Sequence, residues 1–222
     1  MATEHPIHER SEQAKLDMQR NAGLATLSAS ILFTGSLIIF RQLRLDGYTH
    51  GTKAVSELGA VGAPNAIAFN LLGFVLPGLL VVFAAATLAR ATGNAKGMAL
   101  LALTGAAWAL TGVFPFDMAA RASLTSQAHL AAAMLTGLFW ALALFRSPPT
   151  LVDAGQAALA RHGRWLVLAL LANIAWQVAQ QSGAPILPGW GQRLGFAGMM
   201  LWLGLLGLGL LRAALGSLTR QT

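Results

Sequence analysis

Apolar residues gather in six long runs, near residues 22–41, 66–90, 97–115, 124–146, 163–182 and 190–213, separated by short polar joins. A helix rising 1.5 Å per residue needs roughly 20 apolar residues to cross a hydrocarbon core of about 30 Å. Each run meets that length. They are too long, and too rich in Ala and Leu, for strands, and lipid tolerates no open sheet edge. The pattern predicts an all-α integral membrane protein, a compact bundle of six transmembrane helices. Gly and Pro punctuate the joins, as at Gly62-Ala63-Pro64-Asn65, Thr92-Gly93-Asn94, Phe114-Pro115-Phe116-Asp117 and Ser147-Pro148-Pro149, with another join from Pro185 to Gly189. Within the runs, Pro77-Gly78 predicts a kink. Gly105 and Gly112 share one helix face, as do Gly191, Gly195 and Gly198, which predicts close helix packing.

The polar flanks divide the chain into an N-terminal segment (1–21), the transmembrane domain (22–213) and a short tail (214–222). The first run ends in Phe40-Arg41-Gln42-Leu43-Arg44, without a small-residue cleavage site, so it reads as an uncleaved anchor. Composition agrees, with 55% hydrophobic and 10% charged residues and a mean hydropathy of +0.60. A water-facing domain carries about 25% charged residues. The net charge of +7 does not point to nucleic acid, because Lys and Arg stand in ones to threes between the runs. They set topology instead. With the N-terminus inside, the inner set is Arg10, Lys15, Arg20, Arg90, Lys96, Arg146, Arg161, Arg164, Arg212 and Arg220, against Arg41, Arg44, Lys53, Arg121 and Arg193 outside. That excess predicts cytoplasmic N and C termini. The absence of cysteine excludes disulfides, thiolate metal sites and cysteine nucleophiles.

This topology sends most polar side chains to one membrane face. On the outer side fall His50, Lys53, Ser56, Glu57, Asn65, Asn70, Thr111, Asp117, Arg121, His129, Gln192 and Arg193. Asn173, Gln177 and Gln180 follow one another four and three residues apart, a single stripe on one helix face. Amides facing lipid are costly, so the stripe predicts a polar pocket opening outward. Ion pairs such as Asp117–Arg121 or Glu57–Arg193 would instead merely close the outer helix ends.

Ser56-Glu57-Leu58-Gly59-Ala60, followed by Ala63-Pro64-Asn65-Ala66 and Phe69-Asn70, resembles the signature of a bacterial and archaeal membrane family, the domain of unknown function 998. The resemblance continues through Gly112-Val113-Phe114-Pro115-Phe116-Asp117, His129 and Gly191-Gln192-Arg193, covering about residues 22–213. It implies a small multi-span fold in the bacterial cytoplasmic (inner) membrane, with the same outer set. It implies no activity.

Several chemistries suit that set. As a binding protein, the chain would hold a lipid headgroup or small polar ligand through Glu57, Asn65, Asn70, Arg121, Gln177, Gln192 and Arg193, or serve as an accessory subunit of a larger membrane complex. As a hydrolase, it would use Ser56 as nucleophile, His129 as base and Asp117 as the orienting acid. A metal held by Glu57, Asp117 and His129 would have one nitrogen ligand only, so no metal and no cofactor is expected. A small transporter is a further alternative, against which stand the missing internal repeat and the lack of an ionisable residue near the midplane. The expected partners are the lipid bilayer and such a ligand or complex, with no nucleic acid.

Overall fold

The computed structural model describes residues 5–184 and 186–218, and every regular element among them is helical. Residues 1–4, Pro185 in the last join, and Arg220 of the inner charge set lie outside the described residues.

The first helix, α1 (His5–Gln42), runs without a break from the polar N-terminal segment into the first apolar run. Nothing between Ile7 and Ala22 interrupts it, and its exposed turns carry Lys15–Glu12 and Arg20–Asp17 ion pairs at 2.8 and 3.6 Å. The second, α2 (Ala66–Thr92), contains a π-helical turn at Asn70–Val75, where the Leu76 amide donates five residues back to Leu71 O. Pro77 follows directly, and its ring cannot pack against an ordinary preceding turn. The predicted irregularity is therefore a widened turn just before Pro77-Gly78.

Side-chain caps start the next two helices. Asn94 Oδ1 accepts from the Gly97 amide at 2.9 Å to open α3 (Ala95–Val113). Ser123 Oγ accepts from the Ser126 amide at 3.3 Å to open α4 (Leu124–Arg146). Two short helices follow, α5 (Pro148–Asp153) and α6 (Ala157–His162), then a 3₁₀ turn (Gly163–Leu166), α7 (Val167–Gln181) and α8 (Pro188–Leu218).

Among the described residues, five segments are long and apolar enough on their own to cross a membrane: Arg10–Gln42, Ala66–Thr92, Ala95–Val113, Leu124–Arg146 and Gly189–Gly216. The fifth predicted run, 163–182, is shorter as a helix. Its helix, α7, has 15 residues and reaches about 30 Å only together with the 3₁₀ turn before it.

Loop contacts fix how the segments alternate. The Val61 amide donates to Phe116 O at 2.9 Å, and the Gly189 amide to Gly51 O at 2.8 Å. The connections after α1, α3 and α7 therefore meet at one end, the outer end by the charge count. At the other end Gly97 abuts Thr150, and Gly163 abuts Trp202.

Helix α1 packs between α2 and α8, α3 between α2 and α4, and α7 along α8. Small residues make these seams tight. A Cβ on Gly78 would stand 2.5 Å from Gly105 O and from the Ala109 amide, so α2 and α3 touch backbone to backbone. The Gly191, Gly195 and Gly198 face of α8 receives Trp176, Asn173 and Ala169 of α7. Phe33 of α1 sits at the centre, with ring centroids 6.2 Å from Phe74, 5.4 Å from Trp108 and 4.5 Å from Phe196. Large apolar side chains such as Ile31, Ile67, Phe83, Met134 and Phe145 face outward, the surface expected where the solvent is lipid.

Candidate functional site

The long connection after α1 is tied to the start of α8 by one residue. Arg193 Nε donates to His50 Nδ1 at 3.2 Å, one terminal nitrogen to Lys53 O and Gly189 O at 2.8 Å each, and the other to Tyr48 Oη at 2.7 Å and His50 Nδ1 at 3.0 Å. A guanidinium has five N–H groups, and all five are taken. None goes to a carboxylate. Beside it, Gln192 Oε1 accepts from the Val55 amide at 2.8 Å, and the Tyr48 hydroxyl donates to Ala54 O at 2.9 Å. Arg44 forms an ion pair with Asp46, its Nε bonding Oδ1 at 2.9 Å, and reaches Glu57 O at 2.9 Å. That hydrogen bond holds the Asp46 carboxyl at about 2.

His50 acts as an acceptor in this clasp. Burial, then the charges of Arg193 and Arg41, push its pKa below the ordinary imidazole value. A base with a depressed folded-state pKa leaves the clasp fully stable above its unfolded pKa of about 6.5, and that stability is lost as pH falls from there through the folded value. The protection factors of amides in residues 43–65, observed exchange relative to the intrinsic rate at each pH, are therefore expected to be constant from pH 8 to 7 and to fall below about 6.5. A His50→Gln variant is expected to show no such fall.

Behind this loop lies a cleft of about 630 Å³, walled by α4 on one side, α7 on the other, and α3 and α8 behind. It exists because α7 leans on α8 and touches α4 only sparsely. Met134 and Leu138 of α4 and Leu171, Ile174 and Val178 of α7 line it while remaining exposed, so it opens sideways between the two helices. Its outer end is polar, with Ser56, Thr111, His129, Gln177, Gln181 and Gln192. Farther in, Gly137, Trp140, Val167, Leu170 and Met199 make it apolar.

His129 is held by main chain. Its Nδ1 lies 2.9 Å from Thr111 O and 2.8 Å from Phe114 O, the carbonyls ending α3. Two acceptors there require the proton on Nδ1. In the neutral ring Nε2 then keeps its lone pair, and no described residue hydrogen-bonds it. The ring is 4% exposed, stands edge-on to Phe74 and Phe116, and lines the cleft.

The candidate residues read from the sequence do not share one role. Ser56, His129, Gln177 and Gln192 line the cleft. Asp117 and Glu57 lie at the same end but serve the loops. Asp117 Oδ1 accepts from the Ala119 and Ala120 amides at 2.9 and 3.1 Å. Glu57 accepts from the Ala54 amide at 2.9 Å and pairs with Lys53 at 3.4 Å. Arg193 forms the clasp. Asn65, with a left-handed φ of 59°, and Arg121 are exposed in their loops. Asn70 donates to Gly59 O at 2.8 Å, and its buried Oδ1 has no partner among the described residues. Neither the Asp117–Arg121 nor the Glu57–Arg193 pair forms among the described residues. In the amide stripe, Gln181 rather than Gln180 completes the row with Asn173 and Gln177, four residues apart along α7. Tyr48, the chain's single tyrosine, and His50 complete the clasp; their loop position alone gave no sign of a partner near residue 193.

An all-helical chain with several membrane-crossing segments is a multi-span membrane protein. A family model described as Protein of unknown function (DUF998) matches residues 27–209, and the chain belongs to that family. No curated protein and no solved structure matches it.

Proposed function

We propose that this protein binds a membrane amphiphile in the cleft between α4 and α7, headgroup outward and acyl chain inward. One observation carries the reading: the cleft is polar at one end, mostly apolar farther in, where Thr136 and Trp140 are its polar exceptions, and rimmed by lipid-facing side chains. From His129 to Trp140 along α4 is about 16 Å at 1.5 Å per residue, close to half of a ~30 Å hydrocarbon core. One leaflet's acyl chain fits that length. Its volume also falls within the range of ligand pockets, about 300–1,000 Å³.

Gly137 offers the test, since a Cβ there would meet Leu170 Cδ1 at 3.3 Å across the cleft. Protein extracted from its membrane in polymer discs is expected to carry a stoichiometric lipid, identified by mass spectrometry. Gly137→Phe is expected to lower that lipid about tenfold, equivalent to about 1.4 kcal/mol. Equal lipid content in the two proteins would remove the reading.

A further inference from the structure

We infer that the ligand of this cleft is an amphiphile whose headgroup is uncharged and carries a hydroxyl. The inference rests on the amphiphile reading above and specifies its chemistry. Among the described residues, no Asp, Glu, Lys or Arg side chain lines the cleft. The nearest cation in sequence to its polar end, Arg193, has every N–H committed to Tyr48, His50, Lys53 and Gly189. A phosphate or carboxylate entering that end would lose its hydration, a cost that no charged hydrogen-bond donor among the lining residues offsets. An uncharged headgroup avoids that cost.

The available hydrogen-bonding atoms then specify the headgroup further. His129 is buried, lines the cleft, and presents Nε2 as an acceptor because two carbonyls hold the proton on Nδ1. Only a ligand O–H or N–H satisfies that edge; an ester or ether oxygen would leave it bare. Gln192 complements it. Its Oε1 is taken by the Val55 amide, which leaves its NH₂ to donate to a ligand oxygen. A hydroxyl is both donor and acceptor, so one group meets both needs.

The test uses the full chain, stripped of lipid in detergent and titrated by native mass spectrometry with three oleoyl probes. These are 1-monooleoylglycerol, methyl oleate and oleoyl lysophosphatidylglycerol. The first is expected to bind about tenfold or more tighter than either of the others. His129→Asn keeps an N–H for the Thr111 and Phe114 carbonyls, but its shorter side chain leaves no acceptor at the position of Nε2. It is expected to bind monooleoylglycerol and methyl oleate equally. The inference is overturned if the wild type binds the alcohol and the ester alike, if it prefers the anionic lipid, or if His129→Asn keeps the preference. Should none of the three bind, the amphiphile reading itself fails.

Discussion

Arg193→Ala is expected to free residues 43–65 from the bundle while the membrane-crossing helices stay folded. Alanine would leave Tyr48 Oη, His50 Nδ1 and the Lys53 carbonyl without their donor. Hydrogen bonds to a charged group contribute about 1.5–3 kcal/mol each. Because the site is partly hydrated, a net loss of about 3 kcal/mol is the scale to expect. Arg193→Lys is expected to recover little, since an ammonium lacks the planar fork that reaches four residues at once. Limited proteolysis within 43–65 reads this directly, with rapid cleavage expected in both variants and slow cleavage in the wild type. Unchanged resistance in Arg193→Ala would mean that the Val61–Phe116 and Gly189–Gly51 backbone bonds suffice.

Gly78→Leu is expected to be more damaging still, and to act on the bundle itself. The first added carbon would stand 2.5 Å from main-chain atoms of both Gly105 and Ala109. A side chain can rotate away from such a clash; a helix backbone cannot. Overpacking of an ordinary core costs about 1–3 kcal/mol, and here α2 and α3 must separate along their whole seam. Loss of the monodisperse peak after mild heating in detergent is the expected result. Gly35→Leu is the control, because nothing lies within 4 Å of a Cβ at that position. It is expected to leave the peak unchanged.

Most of the helical layout was written in punctuation. The fourth run was expected at 124–146 and α4 spans Leu124–Arg146, since Ser123 caps its start and Ser147-Pro148 ends it. The fifth run is less legible: it is expected to begin at Gly163, yet Gly163 to Leu166, with Arg164 among them, turn as a 3₁₀ segment and the α-helix starts at Val167. Of the site, the sequence exposed the outer polar set but not its internal bonding. Charge logic paired Arg193 with a carboxylate, whereas its partners are a phenol, an imidazole and two carbonyls, three of them about 140 residues away. The partners of His129 are main-chain carbonyls, which no residue type announces. The phase of α7 separates Gln181 from Gln180 only once its docking on the glycine face of α8 is known.

No residue of α7 is buried, and the helix is held from one side by that glycine face. Its free side therefore rests on whatever the bilayer puts there. One wall of the cleft thus stands on a single helix seam, while the opposite wall, α4, is packed against α3.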